Sequence, residues 1–210
     1  MADQKRPTNR PLMLLIGVGV VGLAVLIAVL STGEVGSTPT LEELAGDPTI
    51  EGTPLPPAPG DPSEDPAVGA AAPVVTGAGF DGTAVTIGGA GQPQLIGFMA
   101  AWCPHCQDEL PEVGEWLRAG GVPEGLEVVA VSTGLDPARP NWPPDAWFER
   151  EEYPGPVLVD DGEGSVGRAY GLTGTPYWVG VSAEGEVVVR VTGRLGLDTL
   201  EQLARLIIDA

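Results

Sequence analysis

The chain is poor in the residues that carry most side-chain chemistry. Its 210 residues include two cysteines, one histidine and a single lysine, Lys5. Lys and Arg together number 10 against 29 Asp and Glu, a formal net charge of −19. A nucleic-acid ligand requires a basic surface to release counterions from phosphates, and the sequence offers no such patch, so nucleic-acid binding is excluded. The acidity favours solubility and gives weak repulsion from anionic lipid headgroups. Two cysteines cannot build a multi-bridge framework. Structural zinc needs four ligands, usually in two separated pairs. Cys103, His105 and Cys106 are all the thiol and imidazole groups present. One tight turn cannot wrap them around a tetrahedral ion, so no metal site is expected.

What is present begins with an apolar run. The hydrophobic fraction is 43%, enough for a core. Part of it is concentrated in residues 12–30, which are all apolar or Gly. As a helix rising about 1.5 Å per residue, this run matches a hydrocarbon layer of about 30 Å. Lys5, Arg6 and Arg10 precede it, Glu34, Glu42 and Glu43 follow, and no further base occurs until Arg118. The positive-inside rule then keeps residues 1–11 cytoplasmic and places the remainder outside, making 12–30 a single-pass signal anchor. A cleaved signal peptide has the same charge order. Its apolar region usually spans only about 7–15 residues and closes on a small-x-small site, which is not clean here. No cysteine ends the run, which excludes a lipoprotein-style anchor.

Residues 31–68 are rich in Pro, Gly, Ser, Thr and acids, with Pro54, Pro56, Pro57, Pro59, Pro62 and Pro66 in quick succession. Such a stretch buries too little apolar surface to offset its ordering entropy. It reads as a disordered, semi-extended linker with one transient helical turn at 41–44. The globular pattern starts at residue 69 and runs to 210. Residues 83–87 follow the turn signal Asp81-Gly82 and pair as a strand with 74–80. Residues 94–99 and 127–131 read as buried strands, with a helix over 104–119 between them that carries Leu110, Val113, Trp116 and Leu117 on one face. Pro111 should kink that helix. A short helix from Pro143 to Arg150, a strand at 156–159 and a short helix at 164–170 follow. A hairpin of 177–181 with 187–191 precedes a closing amphipathic helix, 197–208, with Leu200, Leu203, Leu206 and Ile207 inward. This order predicts an α/β fold around a mixed central sheet.

The chemistry concentrates at Trp102-Cys-Pro-His-Cys106, where a buried strand runs into a helix. Thiol–disulfide exchange is carried by the thiolate. A helix N-terminus stabilises an anion through free N–H groups and the macrodipole, so Cys103 is placed to have a lowered pKa. Pro104 suits the first helical turn, and His105 is a second partner for the thiolate. Cys106 follows one turn later, near enough to close a disulfide. These features assign Cys103 as the exposed nucleophile and Cys106 as the more buried resolving thiol. A bare Cys-x-x-Cys is also compatible with half a metal site. The strand-to-helix position in an exported chain favours redox work. The reactive group is then the cysteine pair, and no small-molecule cofactor is implied.

Trp102-Cys-Pro-His-Cys106 resembles the thioredoxin superfamily. Residues 69–210 are most similar to its TlpA/ResA-like, redoxin-type membrane-anchored branch. Ala72-Pro73 followed by Asp81-Gly82 resembles that branch's leading β-hairpin. Cys103-x-x-Cys106-x-x-Glu109-x-Pro111 resembles its active-site helix, and Gly174-Thr175-Pro176 resembles the cis-proline loop. The resemblance implies a thioredoxin-like domain with an N-terminal hairpin, and a cis Thr175–Pro176 bond beside the cysteines. It also implies that the Thr175 backbone pairs with a bound substrate chain. Glu109 is then implicated in tuning the cysteines, by raising thiol pKa values through like-charge repulsion or by relaying protons to Cys106. Many thioredoxins place a buried Asp six residues before the first cysteine, where this chain has Gly97. Cys-Pro-His-Cys resembles the strongly oxidising DsbA-type proteins, whereas Glu109 and the tether resemble reductants of cytochrome maturation, so both directions stay open.

The function implied is an extracytoplasmic thiol–disulfide oxidoreductase at the cell membrane. Its partners would be exported protein thiols or disulfides and a membrane or extracytoplasmic redox protein. Two alternatives are a peroxiredoxin-like peroxidase and a non-catalytic binding module. The first lacks its Pro-x-x-x-Thr/Ser-x-x-Cys arrangement in residues 96–103. Trp142, Trp147, Phe148 and Tyr153 read as a core cap or as a client-docking patch. Asp160-Asp161-Gly162-Glu163 reads as an acidic turn, lacking the ligands of a calcium loop. Arg190 and Arg194 read as surface charges.

Overall fold

The computed structural model describes residues 38–210, and 39–210 form one compact unit. Residues 12–30 lie outside the described part. Among the described residues no helix is long and apolar enough to cross a membrane. In chain order the elements are α1 (Leu41–Leu44), β1 (Thr49–Glu51), a 3-10 turn (Pro62–Glu64), β2 (Val74–Ala78), β3 (Ala84–Ile87) and β4 (Gln94–Met99). Then come α2 (Pro104–Arg118), β5 (Glu127–Ser132), α3 (Pro144–Arg150), β6 (Val157–Val159), α4 (Ser165–Ala169), β7 (Tyr177–Val181), β8 (Val187–Thr192) and α5 (Leu197–Ile208).

The central sheet has the order β6-β5-β4-β7-β8. Strands β4, β5 and β6 run parallel, and β7 and β8 are antiparallel to their neighbours. This is the mixed sheet expected from the sequence, in a thioredoxin-like arrangement. Every residue of β4 is buried, which is why it reads as a continuous apolar run. Its alternate residues feed two cores. Ile96 and Phe98 point to one side, with Val129, Val131, Tyr177 and Val179. Leu95 and Met99 point to the other, with Leu110, Trp178, Leu200 and Ile207. Pro111 lies within α2 without ending it. In α5, Leu200, Leu203 and Ile207 are buried as expected, but Leu206 is exposed. It falls beyond the ~100° stripe that faces the sheet.

The segment before residue 69 differs from its expectation. Residues 39–68 belong to the folded unit, so the linker reading is corrected there. Strand β1 pairs antiparallel with β2, extending the expected hairpin to three strands. Leu55, Ala58 and Ala67 are buried in the first core. The Leu55 and Ala58 N–H groups donate to Ala169 and Gly171 carbonyls at 2.8 and 2.9 Å. Proline accounts for part of this, because a residue with fixed φ loses less entropy on ordering.

Arg190 supplies the rest, and its surface assignment is also corrected. It is 1% exposed and ion-paired with Asp65, with both side chains fully buried. Its guanidinium also donates to the carbonyls of Pro56 at 2.8 Å and Tyr170 at 3.1 Å. One arginine on β8 thereby fastens residues 56–65. Arg194 is partly exposed and pairs with Glu112. Trp147 and Phe148 are buried as a core cap, and the Trp142 indole donates to the Pro39 carbonyl at 2.8 Å. Asp160 is buried and accepts from Thr133 Oγ1 at 2.7 Å and from the Val166 and Gly167 N–H groups at the start of α4.

Candidate active site

Strand β4 delivers the chain to a turn in which the Cys103 N–H donates to the Ala100 carbonyl at 2.9 Å. Cys103 is extended (φ −78°, ψ 120°) and caps the N-terminus of α2, with Pro104 in the first turn. Both cysteines are free thiols. Cys103 is 6% exposed, so the expectation of an exposed nucleophile is corrected. Its thiol is covered by the 175–176 loop and donates to the Thr175 carbonyl at 3.2 Å. Cys106 is fully buried, its sulfur 3.5 Å from the Ala100 N–H that donates to it.

These surroundings push the two thiols apart. For Cys103, burial acts upward, but hydrogen bonding from the Thr175 side chain, from the Cys106 N–H and thiol and from the His105 N–H outweighs it and leaves the thiol below its usual range. This is the helix N-terminus acting on a thiolate. For Cys106, burial dominates, and the neighbouring Cys103 adds to it, so the thiol is pushed well above its usual range. One sulfur is therefore ready as a nucleophile while the other stays protonated behind it.

The flanking residues expected from the sequence gather around this pair. The Thr175–Pro176 bond is cis, with Thr175 half-buried and Pro176 buried. Trp102 is half-buried; its indole donates to the Gly134 carbonyl at 2.7 Å, and the Arg139 guanidinium lies 4.1 Å above its ring. Pro104 and His105 are exposed on the rim. A groove of about 460 Å³ opens between Trp102 and Thr175, walled by Leu135, Leu172 and Gly134.

Glu109 is fully buried, not a solvated helix residue. Its carboxylate accepts from the Trp178 indole at 3.0 Å and from the Leu195 and Gly196 N–H groups at 2.7 and 3.3 Å. Burial outweighs these bonds and holds its pKa above the usual carboxylate range. The rise at Cys106 comes from burial first, with Cys103 adding to it.

The sequence reading missed several members of the site. Trp178 looked like any strand residue. The Ala101 carbonyl, next to Trp102, accepts from Gln107 at 2.9 Å and Asn141 at 3.0 Å. Asn141 has φ 59°, a left-handed conformation that Asn tolerates, and it follows Pro140 in a loop whose composition signals a turn. Among the described residues no group of three or more His, Cys, Asp or Glu is arranged to hold a metal ion.

Comparison with known proteins agrees with this geometry. A family model described as Redoxin matches residues 67–203. The thiol-disulfide oxidoreductase ResA of Halalkalibacterium halodurans is 26% identical over 117 residues, 56% of this chain and 63% of that protein. The chain thus spans a little under two-thirds of that curated relative. StoA of Bacillus subtilis superposes with a TM-score of 0.54 at 22% identity, covering 66% of this chain and 98% of StoA. A Chlorobium tepidum protein described as a thiol:disulfide interchange protein DsbE superposes with a TM-score of 0.52 at 25% identity, covering 65% and 94%.

Proposed function

This chain belongs to the redoxin family, and on that premise we propose that it is a thiol–disulfide oxidoreductase acting on exported proteins through Cys103 and Cys106. The observation that carries the reading is the contrast within the pair. Cys103 sits at a helix N-terminus with a lowered pKa, and Cys106 lies buried behind it with a raised one. Relatives named as thiol-disulfide oxidoreductase and thiol:disulfide interchange protein support the same activity.

The reaction follows from the geometry. The Cys103 thiolate attacks one sulfur of a client disulfide, and the other client sulfur leaves with the bonding electron pair and takes up a proton. Cys106 then gives up its proton and attacks the Cys103 sulfur. The Cys103–client bond breaks, the second client thiol is released, and Cys103–Cys106 becomes the disulfide. The client gains two electrons and the pair loses two. Run in reverse, the same steps donate a disulfide. Thr175 offers its backbone beside Cys103 for pairing with an extended client segment. Trp102, Pro104 and His105 shape the rim, and Glu109 tunes the pair from behind.

Residues 12–30 anchor the protein in the cell membrane with residues 1–11 on the cytoplasmic side, which places the redox domain outside. The apolar run and the Lys5, Arg6 and Arg10 cluster before it support this topology. A membrane or extracytoplasmic redox protein resets the pair.

Trapping tests the activity. Cys106→Ser should accumulate clients as mixed disulfides on Cys103, and Cys103→Ser should capture none. Equal capture by both variants, or none by either, removes the catalytic reading. The reduction potential then sets direction: about −120 mV marks a disulfide donor, and about −270 mV or lower a reductant.

A further inference from the structure

Glu109 is a buried carboxylate held in place with no cation among the described residues in contact with it. Its three donors are the Trp178 indole and two backbone N–H groups at the start of α5. We propose that Trp178 is a positioning residue of the redox site, holding Glu109 behind Cys106 and filling the space where an acid on β4 would otherwise stand. The inference deepens the oxidoreductase reading and rests on it.

Trp178 and Gly97 are direct partners across the β4–β7 ladder. A Cβ added at Gly97 would lie 2.6, 2.8 and 3.0 Å from Cζ3, Cη2 and Cε3 of the Trp178 ring. Real Cβ contacts are not that short, so the indole occupies its place only because position 97 has no side chain. Trp178 is 1% exposed and lies in the core that also contains Cys103 and Cys106. Its N–H crosses from β7 to α2 to reach Glu109 Oε2. Glu109 lies one helical turn after Cys106, on the same buried face of α2.

The choice of donor matters chemically. An arginine in contact would fix the carboxylate in its ionised form. An indole N–H orients it and favours the anion only modestly, so the group can still exchange a proton. The charged groups around Glu109 are Arg194, in the turn before α5, and Glu112, which Arg194 pairs with. Asp198 on the first turn of α5 is exposed, and Cys106 is the titratable neighbour on α2. When Cys106 attacks Cys103, its proton has a carboxylate one helical turn away, held in place by three donors.

The test is the titration of Glu109, followed by ¹³C NMR of its side-chain carboxyl, in wild type and Trp178→Phe. Phenylalanine keeps an aromatic ring and removes the N–H. The Glu109 midpoint should rise in the variant, and the acid limb of the pH profile for resolving a Cys103–glutathione mixed disulfide should move up with it. In a Glu109→Gln background, Trp178→Phe should not shift the profile further. An unmoved Glu109 midpoint overturns the proposal, as does an equal shift of the profile without Glu109. A second measurement needs no Trp178 variant. The Trp178 indole ¹H–¹⁵N signal of the wild type should titrate with Glu109 and become pH-independent in Glu109→Gln; an indole signal indifferent to Glu109 ionisation also overturns the proposal. If wild type performs no thiol exchange, the oxidoreductase reading fails, while both NMR titrations still decide the Trp178–Glu109 link.

Discussion

Asp65 and Glu109 are both buried carboxylates, yet their surroundings drive them in opposite directions. Burial pushes each upward. At Asp65 the Arg190 guanidinium bonds both carboxylate oxygens, and this pairing together with the Ala67 N–H brings the group below its usual range. At Glu109 the contacts are dipoles, the one cation acting on it among the described residues is Arg194, and the group stays above its usual range. The difference separates two uses of a buried acid. A full countercharge in bidentate geometry makes a fastener. Neutral donors leave an acid whose proton is still negotiable, and that one lies on the helix of the cysteines.

The largest effect expected from this comparison is on the fastener. Arg190→Ala strands the Asp65 charge in the core and frees residues 56–65, so it should destabilise the domain by about 3–5 kcal/mol in urea unfolding. The double variant Arg190→Met, Asp65→Leu should recover much of that loss, since an apolar pair of similar volume often replaces a buried ion pair without penalty. The alkylation rate of Cys103 in the folded fraction should stay at the wild-type value in both. A loss under about 1 kcal/mol for Arg190→Ala would mean that the pair contributes no more than a surface bridge.

The next effect falls on the other acid. Gly97→Ala forces a methyl group into the Trp178 ring, an overpacking expected to destabilise by about 1–3 kcal/mol. It should also disturb the Trp178–Glu109 hydrogen bond, visible as a shift of the indole signal. Full stability together with an unmoved indole would show that the ring has room to retreat, and would blunt the contrast between the two acids.

The two sites were unequally legible in the sequence. The cysteine pair was readable because its signal is local: four consecutive residues at a strand-to-helix junction, with a proline suited to the first turn. The succession of strands and helices from residue 69 onward followed from apolar runs and turn residues. Glu109 was found by resemblance, but its burial was not, because nothing within a few residues announces that Trp178, 69 positions later, will meet it. The Asp65–Arg190 pair spans 125 positions. Without it, residues 39–68 show mainly prolines, small residues and acids, with few large apolar side chains, the composition of a linker. Local composition reports how little apolar area a segment carries, and the bonds that hold this one come from the far end of the chain.

The smallest effect is also the most direct comparison, because it reads both acids in one experiment. An unfolded chain titrates Glu near pH ~4.3 and Asp near ~3.9. Glu109 has its folded pKa raised. Between the unfolded and folded values the native protein holds a proton the unfolded chain has lost, so stability falls as pH rises through that window. Asp65 has its folded pKa lowered. Its contribution is complete above the unfolded value and is lost as pH falls through the folded one. Asp160 is also raised by burial, so absolute curves mix several groups, and the informative quantity is the difference between wild type and variant. Unfolding midpoints collected from about pH 3 to about pH 8 should give difference curves of opposite slope for Glu109→Gln and for Arg190→Met, Asp65→Leu. The first should change on the alkaline side of the ordinary carboxylate range, the second on its acid side. A flat curve for Glu109→Gln would mean that the three donors hold its carboxylate at the solution value, making it a second fastener; a sloped one leaves it the acid with a proton to exchange.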